Sequence, residues 1–182
     1  MKNKTLQNLV LSGLCLALGY VLPFLTGQIQ QIGNMLLPMH IPVLLCGLIC
    51  GWKYGLALGA VLPLTRSLIF SMPVLYPNAV AMAFELAAYG FFVGVFYKRL
   101  SKKGVGGIYL SLIPSMLLGR AVWGAVQVCL LGIGGKAFPF SAFLAGAFLN
   151  AIPGIILQLV LIPALMVVLQ RTQLLPVQNE KN

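Results

Sequence analysis

Long apolar runs separated by short polar gaps dominate the sequence. Six such segments can be marked: Leu6 to Leu25, Leu36 to Cys50, Tyr54 to Phe70, Pro77 to Tyr97, Val105 to Leu131 and Phe140 to Leu169. Because a helix of about 20 apolar residues crosses a bilayer, the pattern predicts an all-α integral membrane protein with six transmembrane helices. The second segment is short. We expect other helices to surround it, or non-helical backbone to complete it beside a cavity, rather than lipid along its whole length.

The basic residues predict the orientation of these spans. With six spans, nine Lys and Arg residues fall on one side of the membrane and only Lys136 falls on the other. The nine are Lys2, Lys4, Lys53, Lys98, Arg99, Lys102, Lys103, Arg171 and Lys181. Since basic residues concentrate in cytoplasmic loops, both termini are predicted to be cytoplasmic. The chain then forms one transmembrane domain over residues 1–182, with short tails at 1–5 and 171–182, in the cell membrane.

Composition agrees with a lipid-embedded protein. Hydrophobic residues make up 60% of the chain and charged residues only 8%, whereas soluble domains are about one quarter charged. The net charge of +10 does not indicate nucleic-acid binding, because most of the basic residues sit in gaps between spans. The four cysteines lie within apolar stretches and are interpreted as core residues. We expect no nucleic-acid partner, no metal and no cofactor.

A few polar residues remain inside the predicted spans. Arg66, Glu85 and Arg120 are ionisable, and each costs about 2.5 kcal/mol or more at membrane depth, so such groups pair or line a functional cavity. Arg66 and Glu85 fall near the outer ends of neighbouring spans and are candidates for a neutralising pair. The other polar residues within spans are His40, Gln127, Asn150 and Gln158.

Two interpretations of this polar set are open. One is a buried ion pair that fixes helix packing. The other is a cavity facing outward, which is favoured because the polar, uncharged outer loops open on the same side. The first of these loops, residues 26–35, would close the cavity. The candidate substrate-binding residues are His40, Arg66, Tyr76, Asn78, Glu85, Arg120 and Asn150.

Small residues mark one face of the first span. Gly13 and Ala17 stand four residues apart, a spacing that lets a second helix approach closely in lipid. The face serves either packing within the chain or contact with a partner.

Together these features resemble the substrate-binding S components of energy-coupling factor (ECF) vitamin transporters. The resemblance rests on six spans in 182 residues, the Gly13-x-x-x-Ala17 pattern, the short second span after a polar outer loop, and the turn from Gly47 through Gly51 to Gly55. It implies a vitamin bound at the outer side. It also implies partners, namely a transmembrane coupling subunit that packs on Gly13 and Ala17 and two cytoplasmic ATPase subunits. The chain itself would be no enzyme, and it contains no phosphate-binding loop.

The substrate is less sharply indicated. The mostly neutral polar set and the turn from Met72 to Pro77 favour a large, amphipathic, mostly uncharged ligand, most similar to that of the cobalamin-type S components. Pantothenate, or another B vitamin or precursor, is the alternative.

Two other classes of function remain. A stand-alone proton-coupled carrier would use Glu85 as the titrating group and His40 as a relay, although the two halves of the chain show no clear repeat. An intramembrane enzyme would need Ser67 or Ser71 beside His40 as a catalytic pair. The chain has one histidine and no aspartate, so it contains few residues that could act as catalytic acids or bases.

Overall fold

The computed structural model describes residues 4–25, 35–135 and 138–171. Within these ranges the regular elements are helical and no strand occurs, in agreement with the predicted all-α class. The predicted lid over residues 26–35 lies almost wholly outside the described residues, as do Lys136 and the two tails beyond them.

Five helices follow an apolar segment to within a few residues. The sixth segment, predicted as one span from Phe140 to Leu169, is instead divided into a five-residue helix, a π-helical turn and a longer helix that begins at Ile152. The helices are α1 Lys4–Leu25, α2 His40–Cys50, α3 Trp52–Phe70, α4 Val80–Leu100, α5 Gly104–Ile133, α6 Phe140–Leu144 and α7 Ile152–Arg171. An irregular turn, Leu75–Ala79, in which Tyr76 has an extended backbone with φ −118° and ψ 131°, leads into α4. A π-helical turn, Ala145–Leu149, follows α6. Short turns separate the helices, as the polar gaps in the sequence predict.

The second apolar segment is interrupted near its start. Leu36 is helical, but the helix that continues to Cys50 begins at His40, because Leu37 has a positive φ of 51° and turns the chain. Gly51, at φ 94°, makes the equally abrupt link between α2 and α3, a conformation that glycine adopts without steric cost.

Side-chain contacts show that α4 and α5 are antiparallel, whereas α4 and α7 run in the same direction. The Tyr76 hydroxyl donates to the Leu130 carbonyl, which places the beginning of α4 beside the end of α5. The Gln170 amide donates to the Tyr97 hydroxyl at 2.9 Å, which places the end of α7 beside the end of α4. We call the end of the bundle at which α2, α4 and α7 begin the upper end.

Helix α2 forms the centre of the bundle. All 11 of its residues are buried, and it packs on α1, α3, α4 and α7. This confirms the expectation that a helix too short to span the bilayer alone is surrounded by other helices. The main hydrophobic core therefore forms around α2, with Leu44, Leu48, Leu86 and Ile162 among its fully buried members.

Glycines bring the backbones of α2, α3 and α4 into direct contact. A Cβ atom on Gly90 would lie 2.2 Å from the Gly55 carbonyl carbon, and one on Gly59 would lie 2.3 Å from the Leu86 carbonyl. Gly47 and Gly94 are similarly enclosed. Small residues at contact points are the usual way for helices to associate in lipid. These glycines set the spacing of the three helices.

Three helical stretches are long and apolar enough to cross a membrane: Lys4–Phe24, Leu75–Ile133 and Phe140–Arg171. The middle stretch folds back at Gly104, so that α4 and α5 pack side by side. Helix α2 is apolar but shorter. The count of six crossings and the cytoplasmic placement of both termini remain predictions.

The glycine contacts can be tested with single methyl groups. Gly59→Ala should destabilise the protein by about 1–3 kcal/mol, because the added carbon meets the backbone of α4. Gly106→Ala is the matched control, since a Cβ there has no neighbour within 4 Å and alanine favours helix. Thermal unfolding in detergent measures both variants. Equal melting of Gly59→Ala and wild type would show that the close approach is not required.

Candidate functional site

The centre of the candidate site is a buried carboxylate held by two basic side chains. The Glu85 Oε1 atom lies 2.8 Å from Arg120 Nη1 and 3.4 Å from His40 Nε2. The three side chains come from α4, α5 and α2, and each is at most 6% exposed. The contacts are ion pairs rather than well-aligned hydrogen bonds. We call His40, Glu85 and Arg120 the triad.

Local structure explains why these three residues meet. His40 is the first residue of α2, and its N–H donates to the Leu37 carbonyl across the turn that starts the helix. Glu85 lies in the second turn of α4, and Arg120 lies midway along the antiparallel helix α5. The antiparallel packing of α4 and α5 brings the last two to the same height.

Tyr89 completes the base of the triad. It lies one turn below Glu85 on α4, and its ring packs edge-to-face on His40 with 5.3 Å between ring centroids. Gly119 makes room for this ring, since a Cβ there would lie 2.8 Å from it. A tyrosine on α4 and a glycine on α5 thus fix the orientation of the neighbouring histidine.

The predicted pairing of Arg66 with Glu85 is wrong. Arg66 Nη1 donates to the Tyr20 carbonyl at 2.7 Å, and its guanidinium stands over the rings of Phe24 and Phe70 at 5.3 and 5.0 Å. The physical reason is the direction of each side chain: Arg66 points from α3 toward α1, whereas Glu85 points toward α2 and α5. Arg66 therefore joins two helices, and Arg120 takes the role that was expected of it.

The other predicted residues lie at the upper rim. Tyr76 is half exposed in the irregular turn before α4, and its hydroxyl donates to the Leu130 carbonyl of α5. Asn78 is partly buried in the same turn, about two helical turns above Glu85. Asn150 is exposed after the π-helical turn that follows α6. The structure thus brings His40, Glu85 and Arg120 together and leaves Tyr76, Asn78 and Asn150 above them.

Two glutamines that were not among the candidate residues are also buried. Gln127 is 5% exposed on α5, and Gln158 is fully buried on α7. The sequence shows each of them as a polar residue within an apolar run, but not which way the side chain faces. Both amides differ from ordinary core residues because they contain polar atoms without partners.

Several buried polar atoms make no hydrogen bond within the described part of the chain. They are both ring nitrogens of His40, Oε1 of Glu85, Nε and Nη2 of Arg120, Oε1 of Gln127, and both amide atoms of Gln158. Buried polar groups are nearly always hydrogen bonded, because desolvation without a partner is costly. The arrangement can therefore hold a small polar molecule. His40 faces Glu85 rather than Ser67 or Ser71, so the catalytic pairing considered from the sequence does not form here.

The small-residue face of α1 points away from the bundle. Gly13 and Ala17 are exposed, and a Cβ on Gly13 would meet no atom within 4 Å. Cys15 and Gly19, on the other side of the helix, pack against the core. Within the described residues, the face formed by Gly13 and Ala17 therefore makes no helix contact inside the chain. Contact with a partner is the interpretation that remains.

Comparison with known proteins agrees with the architecture. A family model described as "ECF transporter, substrate-specific component" matches residues 7–166. No curated protein and no solved structure matches the chain significantly. Components of this family bind the substrate of a transporter and are not themselves enzymes. Since the match covers most of the sequence, the chain belongs to the family of ECF transporter substrate-specific components.

Proposed function

We propose that this chain captures a vitamin or vitamin precursor at the outer face of the cell membrane and delivers it inward. A transmembrane coupling subunit and two cytoplasmic ATPase subunits would supply the energy. The observation that carries the proposal is the set of buried polar atoms in and around the triad that make no hydrogen bond within the described residues. Such groups are expensive in an apolar bundle and usually mark a functional site.

The location of the cluster supports capture from outside. The triad lies toward the upper end of the bundle, which the positive-inside rule assigns to the outer side. The irregular turn Leu75–Ala79 and the π-helical turn Ala145–Leu149 lie at this end as well, above the triad. π-helical turns are frequent at functional sites. Tyr76, Asn78 and Asn150 would then be the first polar groups that an entering molecule meets.

For the substrate we propose cobalamin first, with pantothenate or another B vitamin or precursor as the alternative. Support for a mostly uncharged ligand comes from the triad, in which Arg120 is already neutralised by Glu85. Arg66 offers no compensation for an anion, because its guanidinium is held between two phenyl rings and the Tyr20 carbonyl.

The triad predicts how binding responds to the loss of a charge. Arg120→Gln should weaken substrate affinity about tenfold or more, because it removes hydrogen-bond donors from the site and leaves the buried Glu85 carboxylate without its counter-charge. Arg66→Gln is the matched control and should leave affinity within about twofold, because Arg66 lies outside the triad. Isothermal titration of purified protein with cobalamin and pantothenate, after mass spectrometry of co-eluting small molecules, measures both. Loss of binding in Arg66→Gln alone would place the site elsewhere.

Uptake separates this proposal from a stand-alone carrier. Because Glu85 must break an ion pair with Arg120 to take up a proton, the structure favours a coupled receptor over a proton relay. Cells that express the chain should accumulate labelled substrate only when the coupling and ATPase subunits are present. Uptake that persists without them and stops with a protonophore would establish the carrier.

The exposed face of α1 predicts where the partner packs. Gly13→Leu should lower co-purification with the coupling subunit about tenfold, because a leucine there holds the second helix away. Substrate binding by the isolated chain should not change. Gly106→Leu, at an equally open glycine on α5, should assemble normally. Full recovery of the complex with Gly13→Leu would show that the coupling subunit packs on another surface.

A further inference from the structure

The partners that the triad lacks indicate what kind of group it would bind. Arg120 uses Nη1 to contact Glu85, which leaves Nε and Nη2 as buried donors without an acceptor. Gln158 has a free amide N–H and a free amide oxygen, both fully buried. The buried atoms without hydrogen-bond partners in the described residues thus include both donors and acceptors.

Gln158 lies at the height of the triad. A Cβ on Gly154 would lie 2.8 Å from the backbone of Leu36, so the beginning of α7 is level with the turn before α2. Gln158 lies one helical turn further along α7, and His40 lies four residues beyond Leu36, at the beginning of α2. Since α7 packs on both α2 and α5, the helices that supply His40 and Arg120 are its neighbours. We call His40, Glu85, Arg120 and Gln158 the polar layer.

The polar layer carries no net charge when His40 is neutral. Glu85 and Arg120 cancel within 2.8 Å, and Gln158 is uncharged. A carboxylate placed on the free Arg120 nitrogens would lie close to Glu85, and like charges brought together in a buried site oppose binding. An uncharged group with a carbonyl oxygen beside an N–H would meet donors from Arg120 and an acceptor from Gln158 or Glu85 without that repulsion.

We infer that the polar layer recognises an uncharged amide-like edge of the substrate, such as a carboxamide, lactam or ureido group, and that Gln158 is one of the residues that bind it. The inference rests on the proposed function, since it concerns the ligand of the same site. It names the chemical group that enters the layer and adds a residue from α7 to a site otherwise built from α2, α4 and α5.

A leucine in place of Gln158 separates a binding role from a structural one. Gln158→Leu removes an amide that makes no bond within the described chain, so the melting temperature of the ligand-free protein should stay the same or rise. Affinity for the bound vitamin should fall about tenfold. Gln170→Leu on the same helix is the control: its amide bonds to Tyr97, so it should lower the melting temperature and leave affinity unchanged. A Gln158→Leu protein with wild-type affinity would overturn the role of Gln158.

Matched pairs of neutral and acidic probes test the chemical class. The purified full chain is titrated with cobalamin and its singly hydrolysed monocarboxylic acid, nicotinamide and nicotinate, biotinamide and biotin, and panthenol and pantothenate. In the pair that binds, the neutral member should bind about tenfold more tightly than the acid. Glu85→Gln, which leaves the Arg120 charge uncompensated, should shrink or reverse this preference.

The possible outcomes separate the two proposals. Preference for the acid in the wild-type protein would overturn the amide-like class while leaving the vitamin-binding function intact. If Glu85→Gln prefers the neutral probe as strongly as the wild-type protein does, the charge of the polar layer does not determine this preference. That result would also overturn the inference. Failure of every probe and of every co-eluting molecule to bind would overturn the proposed function, and the inference with it.

Discussion

The pairing of Glu85 with Arg120 is the interaction on which the rest of this structure depends. Both side chains are buried in a mainly apolar bundle, and removing one partner of such a pair costs about 3–5 kcal/mol. The pair holds α4 to α5 at a fixed height, and it brings His40 at the beginning of α2 against the same carboxylate. It also settles the charge of the site, since an arginine that is already neutralised has donors to offer but little attraction for an anion.

Close helix packing makes this arrangement possible. Because Gly47, Gly55, Gly59 and Gly90 let the backbones of α2, α3 and α4 touch, the short helix α2 can be enclosed on all sides. Its first residue then lies deep enough to meet Glu85 rather than at a solvent-exposed surface. A bundle with larger residues at these positions would separate α2 from α4, and the histidine would no longer reach the carboxylate.

The sequence predicted the helices well and the contacts between charged residues only in part. Apolar runs ended by glycine, proline and basic residues marked five of the seven α-helices in the described part of the chain to within a few residues, because a helix that crosses a bilayer needs an apolar run of matching length. The break at residues 150–151, which divides the sixth run, was not predicted. The polar residues in these runs were also evident. The sequence did not show which of these polar residues meet, because Arg66 and Arg120 are both within reach of Glu85 if depth in the membrane is the only guide. The choice between them depends on the rotation of α3 and α5 about their axes, and the irregular start of α2 at Leu37 shifts His40 as well.

The exposed face of α1 and the polar layer are built from different helices. Gly13 and Ala17 lie on the outside of α1, whereas the layer takes its side chains from α2, α4, α5 and α7. Substitutions at sites that share no contacts usually act independently. Changes in the polar layer can therefore accumulate during evolution without altering the face of α1 that we propose packs on the coupling subunit, and one docking geometry can persist while the bound molecule changes.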